Sequence, residues 1–187
     1  SEQKAQYYPA KNPMLKHCEY TLFLAIRAGS VVGRISAFID HLALEHWQQP
    51  IGLFGSFECI NDPAVAHALL NAARDWLRTK GMTTMRGPWS FASQEWGLVV
   101  EGFEPPPVIL APYNPPWYNE LLTSFGMAKA NDLLVYVIDA REHYTVPERI
   151  LTLTDKVRQR YHVRIRPVNM QRLEEEVLTI TRLANAS

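Results

Sequence analysis

Two apolar runs with a strand-like period open the patterned part of the chain. Tyr20 to Arg27 (YTLFLAIR) and Val31 to Asp40 (VVGRISAFID) read as strands, and Ala28-Gly29-Ser30 supplies the chemistry of a hairpin turn between them. Side chains alternate along a strand, so Ile35, Ala37 and Ile39 share one face of the second run and Arg34, Ser36 and Phe38 the other. A polar loop through His46 and Gln49 leads to a third strand, Ile51 to Cys59 (IGLFGSFEC). Its glycines at 52 and 55 mark a bulge or a close approach of another backbone. The period then becomes helical. Val65, Leu69, Ala72, Ala73, Trp76 and Leu77 recur at helical spacing, with Asp62 as N-cap, Pro63 in the first turn and Gly81 just past the end. Thr83 to Arg86 reads as a short fourth strand.

The pattern breaks between Arg86 and Tyr118 (RGPWSFASQEWGLVVEGFEPPPVILAPYNPPWY). Linkers are poor in large aromatics, yet this stretch carries Trp89, Phe91, Trp96, Phe103, Tyr113, Trp117 and Tyr118. Its prolines preset φ, and Gly87, Gly97 and Gly102 permit turns. The composition predicts an ordered loop whose rings pack inward, and long ordered loops in compact domains are often functional. Beyond it the sequence predicts a helix over Trp117 to Phe125 and a strand over Asp132 to Asp139. A helix over Pro147 to Tyr161, a short strand over His162 to Pro167 and a last helix over Met170 to Ala184 follow. Residues 1–16 read as an extended arm and 147–187 as a C-terminal helical extension of a single domain spanning 1–187. Hairpin-linked strands mixed with helical crossovers give an α/β (α+β) class, a mixed, partly antiparallel sheet with helices packed on it.

Composition removes some function classes. An apolar fraction of 47% supports a sizeable core, and nineteen basic against nineteen acidic side chains leave a formal net charge of zero. That balance favours neither nucleic acid nor an anionic membrane as partner. No apolar run reaches the length of a membrane span and the N-terminus has no signal-peptide core, so the cytoplasm is the expected location. Cys18 and Cys59 read as free thiols, with a single disulfide as the alternative. The six histidines show no metal-ligand spacing, and no metal is expected. The basic run Lys156, Arg158, Arg160, Arg164, Arg166 is followed by Glu174, Glu175 and Glu176, which predicts a solvated, self-paired face.

Three stretches carry a family resemblance: KNPMLKHCEYTLFLAIRAGSVVGRISAFID, GLFGSFECINDPAVAHALLNAARDWLRTKGM and RGPWSFASQEWGLVVEGFEPPPVILAPYNPPWYNELLTSFGMAKANDLLVY. From Lys11 to about Asp139 they resemble a bacterial group of GNAT-related proteins, the YghO-like family. The order of elements is similar to the larger part of the GNAT acyl-CoA N-acyltransferase fold. Members of the group extend further at both ends, so the sequence reads as part of a longer protein, with a second domain or a homo-oligomer as partner. The resemblance implies acyl-CoA as cofactor, held on backbone N–H groups at a helix start by a Q/R-x-x-G-x-G/A loop. The matching positions, Cys59 to Val65 (CINDPAV), have no glycine, Arg or Gln. It also implies a tyrosine acid for the leaving thiolate four residues before a Gly-Phe. Counting back from Gly126, that position is Leu122, and Tyr118 lies one helical turn earlier on the same face.

Candidate site residues come from the same loop. Tyr118 is the candidate acid, and Glu95 and Glu101, in an apolar stretch, are candidate general bases for an amine. Arg86 could hold a carboxylate or phosphate, and Tyr113 and Asn114 could line a small-molecule pocket. The plainer readings are that Asn114 caps the helix starting at Pro115 or Pro116, that the rings fill the core, and that the carboxylates and Arg86 face solvent. Two functions follow. One is a diverged GNAT-type N-acyltransferase or small-ligand-binding domain. The other is a catalytically silent GNAT-like module that offers packing or partner-binding surface.

Overall fold

A computed structural model describes residues 5–91, 96–104, 106–107, 111–136 and 145–186. They fall into two compact units, Ser1–Asn131 and Asp132–Ser187, and each is described by itself.

The first unit is built on a four-stranded mixed sheet in the order β1 (Cys18–Arg27), β2 (Ser30–Asp40), β3 (Ile51–Cys59), β4 (Thr84–Arg86). β1, β2 and β3 form the expected antiparallel meander, and β4 joins β3 in parallel. A parallel neighbour requires a crossover, and α2 (Pro63–Thr79) provides it. The Asp62 carboxylate caps α2 by accepting from Ala64 N–H at 2.8 Å, and Gly81 follows the helix end at φ +82°.

Both faces of β3 are covered, which explains why residues 51–55 are buried without alternation, whereas β1 leaves Leu22, Leu24 and Ile26 exposed. On one face Ile35, Ala37, Ile39 and Phe54 pack with Leu69, Leu70, Ala73 and Leu77 of α2 and with α3 (Tyr118–Ser124). On the other, Phe38, Ile51 and Leu53 pack with Leu15, Phe91, Tyr7, Trp47 and Trp89. Pairing shifts between Arg34/Glu58 and Ser36/Gly55, so Ser56 and Phe57 together oppose Ile35. The extra residue, Ser56 at φ +45°, inverts the side-chain parity of β3. Phe57 and Cys59 thereby stay on the helix-covered face that Phe54 begins. The bulge read from the strand's glycines is present, and so is the close approach. A Cβ at Gly55 would lie 1.7 Å from the Trp89 carbonyl oxygen, and one at Gly52 would meet the Leu77 side chain at 2.4 Å.

Three local readings are corrected here. The polar loop after β2 contains a helix, α1 (His41–Trp47), because Asp40 accepts from Leu42 and Ala43 N–H and nucleates a turn too short to show a period. Residues 5–16 are turned, not extended. Asn12 caps a 3-10 turn at Pro13–Lys16, and the Tyr7 hydroxyl meets the Ser56 hydroxyl at 2.7 Å. The loop aromatics divide. Phe91 and Tyr118 are buried and Trp89 partly so, while Trp96, Phe103, Tyr113 and Trp117 are exposed. Phe91 and Tyr118, near the two ends of the segment, reach the two cores, and between them Leu98 packs against the helix-covered one. Gly97 and Gly102 take the positive φ expected of its turns, whereas Gly87 is required by contact with Phe54.

The second unit holds α4 (Glu148–Tyr161), a 3-10 turn at Met170–Arg172 and α5 (Leu173–Ala186). The strands read from Asp132 and from His162 are absent among the described residues, and 137–139 lie outside them. Among the described residues neither run has a strand to pair with, and His162 instead closes α4 in the left-handed region at φ +51°. Arg166 pairs with Glu176 and Arg172 with Glu175, as a self-paired face predicts.

Candidate functional site

The loop that follows β4 is held at three points, two of them on the sheet. Trp89 N–H donates to the Phe54 carbonyl at 2.7 Å, just where β3 and β4 part. Asn114 buries its amide and bridges the loop to itself. Its Oδ1 accepts from Val99 N–H at 2.8 Å, and its Nδ2 donates to the carbonyls of Val99 at 3.1 Å and Pro115 at 3.0 Å. Asn114 is therefore not the expected helix cap. α3 begins at Tyr118, and Trp117 at its cap position makes no side-chain cap bond. The Val99 N–H and carbonyl fifteen residues away, with the Pro115 carbonyl, engage both the oxygen and the nitrogen of the Asn114 side chain, which a cap would not.

Tyr118 is the third anchor. Its hydroxyl oxygen accepts from Cys59 N–H at 3.1 Å, and its ring meets Phe57 edge-on at 5.3 Å. Burial pushes its phenol above the ordinary value, so the group stays protonated at neutral pH.

The remaining candidates do not converge on it. Tyr113 is 76% exposed, and Glu101 also faces solvent. Arg86 is exposed at the end of β4, with its guanidinium 5.6 Å from the Trp47 ring centre. Trp47, Trp89 and Trp96 continue that aromatic row, Trp89 and Trp96 stacking at 4.4 Å. Glu95 lies outside the described residues.

A shallow cleft of ≈ 330 Å³ opens between the end of β1 and the start of α2, lined by Ala25, Arg27, Val32, Ala64 and Ala68 among others. None of the loop candidates lines it. Asp62 at its edge is paired with Arg27 at 2.8 Å, and the Arg27 hydrogen bond, with that of Ala64, holds its carboxyl below the usual range. Val65 and Ala66 N–H both donate to the Asp62 carbonyl. With Ala64 N–H on the Asp62 side chain, the first turn is occupied by its own cap. An anion placed there would displace these bonds and face a carboxylate. Acetyl-CoA is accordingly expected to bind this helix start weakly or not at all. Calorimetry checks this, and a sub-micromolar dissociation constant that is lost on changing the Asn61–Val65 turn contradicts it.

The sequence did not single out one further grouping. His17 Nδ1 lies 2.9 Å from Asp40 Oδ1 and 3.7 Å from Cys18 Sγ. Cys18 and Asp40 are far apart in sequence, and the β1–β2 register makes them direct partners. The signal was there in the hairpin pairing, once the start of β1 is placed two residues earlier than the apolar run indicates.

No protein-family model matches the chain, and no solved structure matches it. Two curated proteins do. One is Protein YghO of Escherichia coli, 36% identical over 185 residues, or 98% of this chain and 47% of that protein. The other is a bacterial ceramide synthase of Caulobacter vibrioides, 39% identical over 179 residues, or 95% of this chain and 46% of that protein. The chain thus spans about half the length of the curated relatives it matches. Identity that runs almost end to end, through strands, crossover helix and aromatic loop alike, supports a bacterial YghO-like family for this chain.

Proposed function

We propose that this chain is part of an acyltransferase, a diverged relative of the GNAT N-acyltransferases, that joins an acyl group delivered as a thioester to the amine of a long-chain amino alcohol. The observation that carries this reading is the 39% identity over 95% of the chain to a protein named as a ceramide synthase. A ceramide is a long-chain base acylated on nitrogen, so the chemistry is amide formation with loss of a thiol. Such a step needs a proton for the departing thiolate and a base for the amine. Tyr118 is the candidate donor. Its oxygen accepts from Cys59 N–H while its own proton remains to be given, and burial keeps that proton in place. Glu95 and Glu101 remain the candidate bases, and Arg86 a candidate for anionic parts of the donor.

Conversion of acyl-CoA, or acyl carrier protein, and a long-chain amino alcohol into the amide by the native protein, followed by mass spectrometry, tests the reading. Tyr118→Phe is expected to lower kcat about a hundredfold, the lower end of what a positioned acid contributes. The same change leaves the buried Cys59 N–H without its acceptor and costs about 1–3 kcal/mol of stability, read by urea unfolding.

A second reading, a catalytically silent module, is favoured by the self-capped start of α2 and by the bonding of Asn114 into the loop. Absence of amide product with every thioester donor decides for it.

A further inference from the structure

We propose that His17, Cys18 and Asp40 form a binding site for a thiophilic divalent cation such as Zn2+, at the rim of the aromatic core that Phe38, Phe91 and Trp47 build. Among the described residues these three are the grouping whose ligand atoms converge, all within 4.8 Å of one another. Three kinds of donor meet there: an imidazole nitrogen, a thiol sulfur and a carboxylate oxygen, a set suited to zinc.

The distances fit before any ion is placed. Zinc holds sulfur at about 2.3 Å and imidazole nitrogen at about 2.0–2.1 Å, so a tetrahedral site separates the two by about 3.6 Å. Cys18 Sγ and His17 Nδ1 are 3.7 Å apart. Nδ1 and Asp40 Oδ1 are at hydrogen-bond distance, 2.9 Å, and need to part by about 0.4 Å for the cation to replace the proton they share. Orientation is already fixed. Leu42 and Ala43 N–H donate to Asp40 Oδ1 at 3.0 and 3.2 Å, and His41 N–H donates to the His17 carbonyl at 2.9 Å. Supporting bonds of this kind hold ligands in place in metal sites.

Charge and access agree with the geometry. Binding exchanges the Cys18 thiol proton for a sulfur–metal bond, and the proton that Nδ1 shares with Asp40 passes to Nε2 of the same neutral ring, so one proton leaves in all. One thiolate and one carboxylate then balance a divalent cation, so a half-buried site carries no net charge. The side chains of His17 and Asp40 are 27% and 14% exposed, which gives the ion an entry path and leaves the fourth position to water or to a ligand.

Co2+ titration of the reduced chain tests the site, because a cobalt–thiolate bond gives a charge-transfer band in the near ultraviolet. One Co2+ per chain, with that band and with displacement by Zn2+, is the expected result. Cys18→Ser removes the band. Cys59→Ser, which changes the chain's other cysteine, keeps it. Asp40→Asn preserves the helix cap, since asparagine caps as well as aspartate, yet weakens binding by at least about tenfold, the low end of what even an outer-shell partner costs. No band, a band that survives Cys18→Ser, or a band lost equally in Cys59→Ser overturns the proposal.

Discussion

Replacing Gly55 with alanine is expected to destabilise the protein by about 3 kcal/mol or more, at or beyond the top of the usual cost of overpacking a core. The new Cβ would fall 1.7 Å from the Trp89 carbonyl oxygen and 2.7 Å from its carbon, and neither atom belongs to a side chain that can turn aside. Relief requires β3 and the segment after β4 to separate. That would stretch the 2.7 Å bond from Trp89 N–H to the Phe54 carbonyl and loosen Phe91 from the ring of Phe38, now 4.6 Å away. Gly52→Ala is the informative comparison. Its Cβ would crowd the Leu77 side chain alone, and a side chain can change rotamer. Urea unfolding of the two variants should therefore rank Gly55→Ala well below Gly52→Ala. Equal midpoints would mean that the close approach at Trp89 is not a constraint on the fold.

Phe54→Ala is expected to cost about 3–5 kcal/mol, the range for emptying an aromatic site in a packed interior. Phe54 is 0% exposed and lies against Ile35 and Ala37 of β2 and the buried stripe of α2. Its ring also bounds Gly87, where an added Cβ would lie 2.6 Å from Cδ1. The side chain thus joins the helix-covered core to the turn that starts the aromatic loop. Loss of the ring should lower the unfolding midpoint and also release the loop, seen as faster hydrogen exchange at Trp89 and Gly97, whose N–H groups bond within this region. Phe54→Leu fills most of the volume and should cost markedly less. A small effect of Phe54→Ala, with exchange at Trp89 unchanged, would show that the loop is held by other contacts.

Local pattern was enough for the hairpin of β1 and β2, the third strand and the crossover helix. Each has a period or a cap that acts within a few residues: alternation in ISAFID, the Asp62–Pro63 start, the helical recurrence from Val65 to Leu77. The glycines of β3 were legible for the same reason, since two glycines in an otherwise bulky strand need a steric cause. Among the described residues the strands read at Asp132 and His162 are not formed, because an apolar run becomes a strand only where another strand accepts its hydrogen bonds. The site candidates divide along the same line. That Tyr118 and Asn114 lie where the loop runs into a helix was visible in the sequence. That one receives Cys59 N–H and the other closes on Val99 depends on partners 59 and 15 residues away. His17, Cys18 and Asp40 are the clearest case. Their residue types were plain in the sequence, but no local spacing relates them, and only the antiparallel register that sets Cys18 opposite Asp40 brings three donor atoms to one point.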